Sequence, residues 1–225
     1  MIKSIKIIFF MFLILSPVKL YAYNYFDVSA GINPMELSLF GGIASSDTQK
    51  DFQGVKADIG GSGFSAGFTA LGLLNNYFGV GLDFSYTNDG YGKKEIISGN
   101  KEDFRIEHFT PLLFLKTYIL SPKFSRLGIY VPLGAGMDFA RISKRINGNN
   151  DNLVSDTLTG AALMGGIGAE VNFNSDTFIA VEGRYTKGLF WGSNDYDIKN
   201  SGSLSVLLKL GIKFNYGYDF EDGFF

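Results

Sequence analysis

The chain has 225 residues, 20 basic against 22 acidic, and no cysteine, which excludes disulfides, thiolate metal sites and cysteine nucleophiles. Its 29 glycines, 22 phenylalanines and 12 tyrosines, set against 5 prolines, 1 tryptophan and 1 histidine, favour many strands with tight turns over helices. A net charge of −2 with no basic patch argues against nucleic acid as a partner.

Residues 1–22 read as an export signal. Lys3 and Lys6 open it, Ile7–Leu15 is an apolar run too short for a membrane-spanning helix, and Ala22 supplies the small residue at which cleavage is expected. Cleavage leaves 17 basic residues against 22 acidic ones, about −5. Residues 23–225 are then expected to form one domain, with Tyr23–Pro34 as a lead-in or part of the first strand.

Eight strands follow. Glu36–Ala44 and Ser62–Leu74 are strand-like, and Tyr77–Thr87 alternates more cleanly, with Phe78, Val80, Leu82, Phe84 and Tyr86 facing away from Gly79, Gly81, Asp83 and Ser85. Phe104–Leu120 contains PLLFLK (111–116), apolar on both faces, so its register is ambiguous and a bulge is an option. In Leu127–Ala140, Ile129, Leu133, Met137 and Phe139 oppose Tyr130, Gly134, Gly136 and Asp138. In Leu163–Phe173, Ile167, Ala169 and Val171 oppose Gly166, Gly168 and Glu170. In Ile179–Leu189, Ile179, Val181 and Tyr185 oppose Ala180, Glu182 and Arg184. The final segment alternates from Leu204 to Phe220, with Lys209, Gly211 and Lys213 on the polar face.

The connections alternate in length. Leu74–Asn76, Ser121–Arg126 and Asn174–Asp176 are short, whereas Ser45–Gly61, Asn88–Asp103, Ser143–Asp156 and Gly192–Gly202 are long and polar and read as loops. The fold class is therefore all-β: an eight-stranded antiparallel transmembrane β-barrel with short periplasmic turns and four longer extracellular loops. A soluble barrel would place its apolar face inward. Glycine-rich polar faces carrying both signs of charge, aromatics toward the strand ends and apolar faces of membrane length favour apolar faces turned to lipid.

KLGIKFNY (209–216) resembles the closing-strand signal read by the barrel assembly machinery, with Lys209, Gly211, Phe214 and Tyr216 in its places, although nine residues follow it. HFTPLLFLKTYIL (108–120), LGIYVPLGAGMDFA (127–140) and FIAVEGRYTKGL (178–189) resemble strands of the small outer-membrane barrels, the OmpA-like and OmpX-like family. That resemblance implies a monomeric barrel in the outer membrane of a diderm bacterium, without a cofactor. Its expected partners are outer-membrane lipid, the assembly machinery during insertion, and an extracellular ligand or host surface met by the loops.

Chemistry is sparse. His108, beside Glu107, lacks a neighbouring serine and is expected at a strand end without a catalytic role. Asp47, Asp51 and Asp58 lack EF-hand spacing. Asp138, Glu170, Glu182, Arg184, Lys209 and Lys213 are expected to face the lumen as a charge network, either plugging the barrel or lining a narrow pore. The main expectation is a structural or surface-interaction role through the loops; the alternatives are a narrow channel and, less favoured, a lipid-modifying enzyme.

Overall fold

A computed structural model of the chain describes residues 35–52, 55–58, 61–95, 101–122, 126–146, 149–173, 176–191 and 198–214. The expected signal (1–22), the lead-in at Tyr23–Pro34 and the segment from Asn215 onward lie outside these residues.

Eight strands close on themselves. They are β1 (Met35–Ser46), β4 (Ser62–Leu73), β5 (Phe78–Glu95), β6 (Lys101–Leu120), β7 (Leu127–Ile146), β8 (Asn149–Asn172), β9 (Thr177–Trp191) and β10 (Asn200–Phe214). Every neighbour is antiparallel, and the order β1-β10-β9-β8-β7-β6-β5-β4 returns to β1. A separate hairpin, β2 (Gln49–Phe52) with β3 (Val55–Asp58), stands between β1 and β4. Closure leaves no free edge in the part of the sheet that hydrocarbon surrounds, as a membrane-spanning sheet requires.

The faces are arranged for lipid. On β10, Leu204, Val206, Leu208, Leu210, Ile212 and Phe214 point outward and are exposed, Leu210 at 59%, whereas Lys209 (2%) and Lys213 (1%) are buried inside. The PLLFLK ambiguity resolves with Leu112, Phe114 and Lys116 inward and Leu113 exposed. The bulge falls further along, between Tyr118 and Leu120 opposite β7.

Three of the four long segments expected as loops are largely ladder. The β5–β6 pairing continues to Glu95↔Lys101, and the β7–β8 pairing to Ile146↔Asn149. Only positions 147 and 148 separate β7 from β8, and these are Asn and Gly, the dipeptide most favoured in two-residue hairpins. The first long segment contains β2 and β3. Alternation fails to announce these extensions because both faces there leave the membrane, so the lipid-imposed contrast between faces disappears.

The polarity of the wall inverts at this level. On β6 the outward residues change from Leu113 and Phe109 to Glu107 and Arg105, while the inward ones change from Lys116 to Ile106 and Phe104. On β7, Met137 and Phe139 outside give way to Arg141, and Asp138 inside gives way to Ala140 and Ile142. The inversion locates the outer boundary of the hydrocarbon.

The β5–β6 ladder shifts register between Asn88 and Tyr91, where Gly90 has φ +69°, and a Cβ there would lie 2.2 Å from the Ser62 carbonyl oxygen. Gly90→Val is therefore expected to cost about 1–2 kcal/mol. The check is electrophoretic. The native protein should run as distinct unboiled and boiled forms, and the variant should convert between them at a lower temperature.

Candidate functional site

Titratable groups converge in the lumen, where they are organised in tiers. At the periplasmic end, Lys116 Nζ donates to Glu36 Oε1 and Oε2, both at 2.9 Å, and to Glu170 Oε2 at 2.6 Å. Lys213 Nζ donates to the other Glu170 oxygen at 2.5 Å and to Asn172 Oδ1 at 2.9 Å, and the Tyr118 hydroxyl donates to Glu170 Oε2 at 3.0 Å. The Lys116 ammonium also lies 4.3 Å from the centre of the Tyr130 ring, within cation–π range. Two carboxylates and two ammonium groups balance here, drawn from β1, β6, β8 and β10.

The middle tier is also balanced. Arg184 spans Asp83 (Nη1 to Oδ1, 3.0 Å) and Glu182 (Nε to Oε1, 2.7 Å), and Lys209 Nζ donates to Glu182 Oε2 at 3.0 Å. Thr69 donates to Asp83 Oδ2 at 2.8 Å and the Tyr130 hydroxyl to Glu182 Oε2 at 2.9 Å. The guanidinium lies 4.6 Å from the Phe40 ring centre. Such groups are tolerable in a dry interior because each charge meets both an opposite charge and further hydrogen-bond partners.

The upper tier is smaller. His108 lies between two carboxylates, Nδ1 3.0 Å from Asp138 Oδ2 and Nε2 3.3 Å from Asp89 Oδ2. Its ring stacks on Phe190 at 6.4 Å. Beside it Thr110, Thr186, Ser201 and Ser203 border a cavity of about 10 Å³, room for about one water. Above lies an apolar cluster of Phe104, Ile106, Ala140, Ile142, Leu158 and Ile198, with Phe190 packed against it. Ile198, just before β10, is 1% exposed and joins this cluster.

The lumen glycines are filled rather than open. A Cβ at Gly168 would lie 2.5 Å from the Tyr130 hydroxyl, one at Gly211 would lie 2.2 Å from the Phe178 ring, and one at Gly188 would lie 2.4 Å from Asp138 Oδ2. Each glycine is a socket for a large or charged side chain from another strand.

The six residues expected as one network thus separate. Glu170 and Lys213 share the lower tier, Glu182, Arg184 and Lys209 the middle one, and Asp138 joins neither but holds His108. Glu36, Asp83, Lys116, Tyr130 and Asp89 complete the tiers and were not among the six. Asp83 and Tyr130 already sat on faces read as polar; Lys116 was hidden by the two-sided apolarity of PLLFLK. Of the closing-strand residues, Lys209 anchors the middle tier, Gly211 receives Phe178 and Phe214 faces lipid; Tyr216 lies outside the described residues. Among the described residues no group of three histidine or carboxylate side chains is arranged to hold a metal ion. Asp47 accepts a hydrogen bond from Tyr185, and Asp51 and Asp58 stand on opposite strands of the small hairpin.

The profile of the family "Outer membrane protein beta-barrel domain" matches residues 22–214. The chain belongs to this family. It lies in the outer membrane, with the apolar wall in lipid and the hairpin extensions outside the cell. Among solved structures it is similar to Neisserial surface protein A (16% identity, TM-score 0.49, covering 80% of this chain and 97% of that one). It is also similar to OprG of Pseudomonas aeruginosa (18%, 0.48, 82% and 98%) and to Ail, the attachment invasion locus protein of Yersinia pestis, in complex with the heparin analogue sucrose octasulfate (22%, 0.40, 80% and 99%). These are likenesses of fold. No curated protein matches the sequence.

Removing one member of a buried ion cluster leaves its partners uncompensated, at a cost of about 3–5 kcal/mol. Lys116→Met, which strands Glu36 and half of Glu170, is expected to lose stability on that scale. Leu113→Met, outward in the same strand, should be close to neutral. Urea unfolding in detergent, followed by the gel-mobility change, compares the two.

Proposed function

We propose that this barrel acts through what it raises above the membrane, as a structural or surface-interaction protein, and that its lumen conducts nothing. The observation that carries the reading is the filled interior: two charge-balanced tiers, a histidine clasp and an apolar cap occupy it from the periplasmic turns to the mouth. A channel would need Arg184 and Lys209 to separate from Glu182 and Asp83, with Ile198 withdrawn as well. The room that lumen glycines would have offered to solute is taken by Tyr130 and Phe178. An enzymatic role gains no support, because both nitrogens of His108 face carboxylates and none of the hydrogen bonds described for it involves a serine. Closure of the membrane-crossing ladder, which leaves no free edge at that level, also supports a monomer.

The hairpin formed by the ends of β5 and β6 and that formed by β7 and β8 are the surfaces proposed to meet a ligand. Replacing residues 91–103 or 144–154 with a short turn should abolish adhesion to a cell or matrix surface while the heat-dependent gel shift persists. Unchanged adhesion in both deletions would remove the hairpins from the role. In planar bilayers the purified native protein should give no conductance steps; reproducible steps that vanish on heating would establish the channel instead.

A further inference from the structure

The outer wall of β6 and β7 carries a charge that none of the described residues answers. Directly above the level where the wall inverts, Arg141 is exposed and makes no hydrogen bond or ion pair with any described residue. The residue opposite it in the ladder is Glu107, but that carboxylate is engaged elsewhere. It accepts from the Tyr86 hydroxyl at 2.8 Å and pairs with Arg105. Arg105 is diagonal to Arg141 across the ladder, its own direct partner being Ser143. Diagonal neighbours on one face lie about 7–8 Å apart, a span that two arginine side chains close easily.

The position along the strand decides what is available there. From Leu127 at the periplasmic turn to Phe139 is twelve residues, which at the rise and tilt of a barrel strand climb about 30 Å. Phe139 faces Phe109 across the ladder with ring centres 6.5 Å apart, and on the next strand Tyr86 sits 5.9 Å from Phe64. These rings mark an aromatic girdle of the kind found at membrane interfaces. Two residues beyond it, Arg141 reaches the headgroup layer of the outer leaflet. At that depth an outward guanidinium can exchange water for headgroup anions, and its planar fork matches a phosphate in two-point contact.

We infer that Arg141, with Arg105 held beside it by Glu107, forms a binding site for the phosphate of a phosphorylated outer-leaflet lipid headgroup, whose acyl chains lie against Phe109, Phe139 and Met137. The rings position the chains, Arg141 supplies the charge, and the Glu107 pairing fixes the second guanidinium in place.

The test titrates the folded full-length mature protein in detergent with a bis-phosphorylated lipid A and with the same lipid after enzymatic dephosphorylation, scoring bound lipid by native mass spectrometry. The native protein should prefer the phosphorylated lipid by about tenfold or more. Arg141→Gln should lose most of that preference without changing binding of the dephosphorylated lipid, and Arg105→Gln should lose part of it. Inorganic phosphate at millimolar concentration should not compete, which separates a lipid headgroup from a free-anion site. Each variant is first shown to keep the gel shift of the closed barrel. Arg141→Gln with undiminished preference, or a native protein indifferent to the phosphates, would overturn the site; competition by free phosphate would overturn its assignment to lipid.

Discussion

The structure depends on ion pairs that span the lumen. A barrel in hydrocarbon gains little by turning leucine and phenylalanine outward, since lipid is as apolar as they are, and the backbone ladder is satisfied in any closed register. What distinguishes one closure from another is inside. Lys116 must meet Glu36 and Glu170, and Arg184 must meet Asp83 and Glu182, across strands that are far apart in sequence. A one-residue slip of any strand would carry these groups into lipid and bring leucines inward. The tiers therefore fix register, and that role accounts for charged groups in so dry a place better than a contribution to stability does.

The glycines and aromatics follow from the same constraint. Eight strands enclose a space only wide enough for side chains, so a long residue that lies down across the inner wall needs a gap at its partner position on the adjacent strand. Tyr130 finds Gly168 and Phe178 finds Gly211. The abundance of both residue types in the composition reflects this knob-and-socket filling of the lumen as much as it reflects turns and girdles.

Architecture was legible in the sequence because lipid imposes a contrast between faces at every second residue, and that contrast held across β5, β7, β8, β9 and β10 wherever they cross the membrane. It was not legible where the contrast ends. Above the girdle the lipid-imposed contrast is gone, so the continuation of β7 to Ile146 and of β8 from Asn149 looked like loop. Within the lumen, sign and face could be read for Glu170, Glu182, Arg184, Lys209 and Lys213, but their grouping could not. Which charges meet depends on how far each strand is staggered around the barrel, and no single strand records that. Lys116 was lost for a local reason: Leu112, Leu113, Phe114 and Leu115 give no face away. His108, expected at a strand end, lies buried within β6, and its clasp needed Asp89 and Asp138 from the strands on either side.

The inversion of the wall above the membrane changes what another molecule would encounter there. With Phe104, Ile106, Ile142, Leu158 and Ile198 packed inside, the base of the external part has an apolar core of its own, and its hairpins rise from it as paired strands. A partner, including an antibody, would meet surfaces composed of neighbouring strands whose contributing residues are distant in sequence. Synthetic peptides copying one strand of such a hairpin would reproduce its residues without their cross-strand neighbours, and would be poor surrogates for the displayed epitope.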